Sequence, residues 1–142
     1  MDQQGAQRET RKAVLIAEDN EGVRALVALV MAKRGWTTLE AADGHEAAHL
    51  IDREYQTIDL LISDIVMPRV GGLELAVKAL SRRSRLPVVL MSVTNRRDLP
   101  PGSIGNGIVF LQKPFTAMDL ASAAEAALRV VEDALPERPE EL

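Results

Sequence analysis

Four short, unbroken apolar runs constrain this chain more than anything else in it: "AVLIA" (13–17), "DLLIS" (59–63), "PVVLM" (87–91) and "IVFL" (108–111). Runs of this length without polar interruption mark strands buried on both faces. "WTTLEA" (36–41) is more polar and suits a strand nearer a sheet edge. Helical periods lie between them. Val23, Leu26, Val27 and Val30 fall at i, i+3, i+4 and i+7, with Asn20 placed to cap the start and Gly35 to stop the helix. Leu73, Ala76, Val77 and Leu80 repeat the spacing, and Leu120, Ala124, Ala127, Leu128 and Val131 form a last apolar stripe. Strands alternating with helices predict a parallel α/β sheet covered on both faces. At 142 residues with 46 % apolar content, one such domain with a full core is expected.

One motif points elsewhere. "HEAAH" (45–49) matches the H-E-x-x-H pattern of zinc peptidases. At about 100° per residue, Ala47, Leu50 and Ile51 define the buried side of that helix. His45 and His49 then face water, and no other histidine exists to complete a zinc site. The pair is expected to be a solvated helix face. A net charge of −4 argues against a general nucleic-acid binder. The absence of cysteine excludes disulfide and thiol chemistry and suits a cytosolic home. No signal peptide is visible, and no apolar run approaches the roughly 18 residues that span a bilayer. A cytoplasmic protein without membrane insertion is expected.

In an open parallel sheet, ligands bind beyond the carboxyl ends of the strands. Here those ends carry Glu18-Asp19, Asp64, Ser92 and Lys113-Pro114. Three carboxylates converging at about 4 Å would repel one another by on the order of 4 kcal/mol per pair at an effective dielectric near 20. A cation is required, and Lys113 or a bound divalent ion would supply it. An oxygen-only donor set suits Mg²⁺ or Mn²⁺ rather than zinc. A carboxylate beside a metal and a lysine is also a competent nucleophile towards phosphorus.

The quoted strand ends, "AEDN", "LISDIVMPRVGGLEL", "PVVLMS" and "FLQKPF", in this order and spacing, resemble the receiver domain of two-component response regulators. The resemblance covers residues 12–133, leaving 1–11 and 134–142 as expected flexible tails. It implies a flavodoxin-like, doubly wound, five-stranded parallel sheet in the order 2-1-3-4-5. It implies Asp64 as phospho-acceptor, with Mg²⁺ (or Mn²⁺) held by Asp19, Asp64, Glu18 through water, and the backbone carbonyl of Val66. Lys113 would pair with the phosphoryl group, Ser92 would be the switch hydroxyl, and Phe110 the aromatic that changes rotamer with it. Pro68 and Gly72 would shape the loop after the acceptor, and Pro114 matches a typically cis proline. The implied partners are a sensor histidine kinase or histidine phosphotransfer protein and a downstream protein target. The chain would be a phospho-acceptor rather than an enzyme, with self-dephosphorylation its only catalysis.

Two departures from the pattern carry expectations. Val93 stands where the family has a small residue after the switch hydroxyl, and its β-branched side chain would narrow access to the phosphoryl site. The segment 93–107 contains Pro100, Pro101, Gly102, Gly105 and Gly107. It leaves no room for the helix the family places between its fourth and fifth strands, so a loop or one short turn is predicted. Arg82, Arg83 and Arg85 read as a solvated helix end. After Pro114 there is room for one helix but not for a DNA-binding output domain of at least about 50 residues. A stand-alone receiver, or an isolated fragment, is expected to act by protein contact or as a phosphoryl shuttle. Of the rivals, a haloacid-dehalogenase-type phosphatase would want an acid where Val66 stands, and a nucleotide-binding protein a glycine-rich turn where "AEDNEG" stands. A phosphate-independent pseudo-receiver is the remaining alternative.

Overall fold

Each apolar run becomes a strand and each amphipathic stretch a helix in the computed structural model, which describes residues 12–99 and 107–134. In chain order the elements are β1 (Ala13–Ala17), α1 (Glu21–Lys33), β2 (Thr37–Ala41), α2 (Gly44–Glu54), β3 (Leu60–Asp64), α3 (Gly72–Arg82), β4 (Val88–Ser92), β5 (Ile108–Gln112) and α4 (Ala117–Ala134). The strands form one parallel sheet in the order β2-β1-β3-β4-β5, with the polar β2 at an edge. Between β4 and β5 the described residues hold a single 3₁₀ turn, Arg96–Asp98. The predicted short turn after Ser92 is therefore present, while 100–106 lies outside the described residues. So do the expected tails at 1–11 and 135–142; Ala134 itself closes α4.

The unbroken apolar runs follow from the two-sided burial. Leu15, Leu61, Val88 and Leu90 face α2 and α3, while Val14, Ile16, Leu60, Ile62, Val89 and Met91 face α1 and α4. Burying each such side chain contributes roughly 1.5–3 kcal/mol. The caps also match the sequence. Asn20 Oδ1 accepts from Val23 N at 2.9 Å, and Gly35, at φ 95°, lets its own N–H reach Ala32 O while Trp36 N reaches Met31 O.

The helix faces needed correction. Leu26 is 41 % exposed and Val77 70 %. The buried positions are Val27 and Met31 on α1, and Leu75, Ala76 and Ala79 on α3. A helix lying on a sheet buries a narrow stripe, and neighbours 100° apart compete for it with equal hydrophobicity. The arginines differ too. Arg82 pairs with Asp52 at 2.8 Å and lies over the Tyr55 ring, and Arg83 donates to the carbonyl of Ile58. Arg82 and Arg85 are both exposed, as expected of a solvated end, while Arg83 is half-buried.

"HEAAH" is the start of α2. His45 and His49 are both exposed, their rings edge-on at 4.7 Å. Glu46, which would be the base of a zinc peptidase, folds back on the helix start in a variant of the capping box that reaches the residue before the Asp43 N-cap. Its Oε1 accepts from Ala42 N at 2.8 Å, and its own N–H donates to Asp43 Oδ1 at 2.8 Å. A helix cap explains the motif.

Candidate functional site

The parallel register delivers all the strand-end residues to one edge of the sheet. Ala17 pairs with Ser63, Asp64 with Met91, and Ser92 with Gln112, so Glu18, Asp64, Ser92 and Lys113 come together within one or two residues of the strand ends. β1 sits between β2 and β3, where successive crossovers leave in opposite directions and open a crevice.

Carboxylate oxygens of Glu18, Asp19 and Asp64 lie within 4.8 Å of one another, the one acidic metal-type cluster among the described residues. Lys113 Nζ donates to Glu18 Oε1 at 2.9 Å and stands 3.5 Å from Asp64 Oδ2. Glu18 is fully buried and Asp64 is 7 % exposed, while Asp19 opens to solvent. Burial pushes the Glu18 carboxyl above its ordinary pKa, with the Lys113 hydrogen bond and the Asn20 N–H pulling back. Burial likewise raises Asp64; the Lys113 charge and the Val66 N–H oppose it, and the Asp19 charge adds to it. For Lys113, burial works to lower the pKa, but Glu18 and Asp64 together outweigh it and the ammonium is held above its ordinary value.

One ammonium among three carboxylates leaves an excess of negative charge. At 4.8 Å, the widest separation in the cluster, and an effective dielectric near 20, each like-charge pair costs at least about 3.5 kcal/mol. The donors are all oxygen, so the residues present fit a hard divalent cation of the Mg²⁺ kind.

Around the cluster, the backbone is tightly packed. Gly72 N donates to Ile65 O at 2.8 Å, and a Cβ at Gly72 would lie 2.2 Å from the carbonyl oxygen of Asp64. Arg69, next to Pro68, takes a φ of 74° in the loop between β3 and α3. The Lys113–Pro114 peptide is cis. Ser92 is 1 % exposed; its Oγ accepts from Thr94 N at 2.9 Å, and among the described residues that hydroxyl bonds to neither Asp64 nor Lys113, although the Ser92 carbonyl accepts from Lys113 N at 2.8 Å. Phe110 is half-buried against the core on the face of the sheet that α2 and α3 cover. Val66 and Val93 are exposed, at 67 % and 72 %.

Sequence reasoning missed one participant. Arg24 Nη1 donates to the carbonyl of Glu18 at 2.9 Å, and its Nε lies 3.4 Å from Glu40 Oε1 at the end of β2. Its place one turn past the Asn20 cap was the signal, but the partner on β2 is invisible without the fold.

A model of the response regulator receiver domain matches residues 14–125. The chain belongs to that family. Among the relatives of this receiver, the response regulator GtcR of Aneurinibacillus migulanus is 33 % identical over 119 residues, covering 83 % of this chain and 48 % of its own length. The transcriptional regulatory protein PdtaR of Mycobacterium tuberculosis is 36 % identical over 119 residues, covering 82 % and 57 % respectively. The receiver thus spans about half the length of these curated relatives. Of solved structures, the receiver domain of the hybrid histidine kinase CckA is 35 % identical with a TM-score of 0.69, covering 82 % of this chain and 98 % of that one. A CheY-like receiver from Methanospirillum hungatei, at 20 % identity and a TM-score of 0.75 over 87 % of this chain and 98 % of its own, shares the fold. Among the described residues no helix is long and apolar enough to cross a membrane.

Proposed function

We propose that this receiver accepts a phosphoryl group on Asp64 from a histidine of a sensor kinase or phosphotransfer protein, with Mg²⁺ as cofactor. The observation that carries the reading is a nearly buried Asp64 carboxylate with Lys113 Nζ at 3.5 Å and two further carboxylates within 4.8 Å. An Asp64 oxygen attacks phosphorus, the P–N bond to the donor imidazole breaks, and the imidazole nitrogen takes up a proton. Mg²⁺, held by Asp19, Asp64, the Val66 carbonyl and Glu18 through water, would neutralise charge on the phosphoryl oxygens. Lys113, already aimed at Asp64, pairs with the same oxygens and exchanges part of its bond to Glu18 for them. Ser92 turns its hydroxyl from Thr94 N towards the new phosphoryl group, and Phe110 changes rotamer in step. The covalent product biases a two-state equilibrium that a partner protein reads, or passes its phosphoryl group on. Hydrolysis of its own aspartyl phosphate would be its only catalysis, and the cytoplasm its compartment.

The test is intact mass after incubation with Mg²⁺ and acetyl phosphate, repeated with candidate kinases. One added phosphoryl group on the wild type but not on Asp64→Asn supports the reading. No addition to the wild type from any donor would replace it with a phosphate-independent interaction module.

A further inference from the structure

Asp19 is the member of the acidic cluster with least holding it. It is exposed, and among the described residues its carboxylate takes part in no hydrogen bond or ion pair. Where its oxygens sit is set by the backbone of residues 18–20. Besides the Asn20 cap bonds from Val23 N and Arg24 N, three bonds bear on the start of that turn. Glu18 N donates to Ala41 O at 3.1 Å, Asn20 N donates to Glu18 Oε2 at 3.0 Å, and the Glu18 carbonyl accepts from Arg24 Nη1 at 2.9 Å. Lys113 also holds the Glu18 carboxylate, but among the described residues only Arg24 reaches the backbone of the turn with a side chain from outside it. The Glu18 carbonyl and the Asp19 N–H belong to one rigid peptide plane, so fixing that oxygen fixes where the Asp19 side chain begins. Arg24 is itself held, with Nε 3.4 Å from Glu40 Oε1 and its side chain only 18 % exposed.

We infer that Arg24 is a positioning residue for the cation site: its guanidinium braces the Glu18–Asp19 peptide against the end of β2 and so aims Asp19 at the cation. The inference rests on the Mg²⁺ reading above. A planar fork presents Nη1 and Nε to acceptors on different elements in one fixed geometry, where lysine offers a single nitrogen on a flexible stem. Outer contacts of this kind typically set metal affinity by 10–100-fold.

Charge and geometry predict opposite outcomes, which makes the assignment testable. Removing a cation from beside three carboxylates should tighten Mg²⁺ by Coulomb attraction alone. Loss of the brace should weaken it. The experiment is calorimetric titration of the wild type, Arg24→Ala, Arg24→Lys and Glu40→Gln with Mg²⁺ alone, together with amide exchange at Glu18 and Asn20 in the metal-free proteins. Urea midpoints confirm that each variant is folded. Arg24→Ala is expected to lose about tenfold in Mg²⁺ affinity, with faster exchange at Asn20. Arg24→Lys, which keeps the charge, should also bind more weakly. Unchanged or tighter binding in either Arg24 variant, even with a lowered urea midpoint, overturns the inference and leaves Arg24 a stabilising contact only. A wild type that takes up no Mg²⁺ fails the cation reading itself and Arg24's role with it, an outcome visible before any variant is compared.

Discussion

A single methyl group at position 72 tests how closely α3 is fitted against the end of β3. An alanine Cβ there would lie 2.2 Å from the carbonyl oxygen of Asp64 and 2.9 Å from both Asp64 C and Ile65 Cα. All three are backbone atoms and cannot rotate aside. Restoring an ordinary contact moves the start of α3 by about 1 Å, an overpacking that typically costs about 2 kcal/mol. That movement also stretches the 2.8 Å bond from Gly72 N to Ile65 O, worth about 1 kcal/mol. Reduced chain entropy returns roughly 0.5–1 kcal/mol. Gly72→Ala should therefore lose about 2 kcal/mol, read from urea unfolding followed by circular dichroism. Because the obstruction is the backbone of Asp64 itself, Mg²⁺ affinity should fall as well. Gly22→Ala is the internal control, since its Cβ would meet only Asn20 Oδ1 at 3.4 Å. There the entropy term stands alone and a gain of about 0.5 kcal/mol is expected. A Gly72→Ala protein as stable as wild type would refute the packing argument.

Other consequences can be measured in the same way. Lys113→Ala leaves the fully buried Glu18 carboxylate without its 2.9 Å partner, and a loss of about 3 kcal/mol in urea stability is expected at neutral pH; no loss would mean Glu18 is already neutral. Glu18 and Asp64 have pKa values raised by burial, so the folded protein binds more protons than the unfolded chain between the ordinary values of 4.5 and 3.8 and the raised ones. Metal-free stability should accordingly rise as pH falls through the raised values, the gain being complete below the ordinary ones, and Asp64→Asn should show a smaller rise; equal pH slopes in the two proteins would count against it. Gly35→Ala places a side chain at φ 95° with nothing within 4 Å, so a loss of about 1 kcal/mol in urea should come from the backbone alone. Val93→Ala should change the rate of acetyl phosphate uptake, and an unchanged rate would relieve the exposed Val93 of any gating role.

Much of the site was legible because its signals are local. A strand buried on both faces needs a continuous apolar run, and a carboxylate or lysine straight after such a run stands out as Asp64 and Lys113 do. Asn20 and Gly35 could be read as helix punctuation because capping involves neighbours three or four residues away. The sheet order followed from the family resemblance, not from any local pattern. Two adjacent apolar residues on one helix gave no means of telling Leu26 from Val27, or Val77 from Ala76, since only the sheet beneath decides which is covered. Glu46 looked like half of a metal motif until the fold turned it back onto Ala42. Arg24 meets Glu40 only because β2 lies beside β1, and the tight fit of Gly72 exists only because α3 lands on Asp64. Local chemistry thus named the groups that cluster at the strand ends, whereas the bonds that aim them cross between elements distant in sequence, and those distances come into being only when the chain has folded.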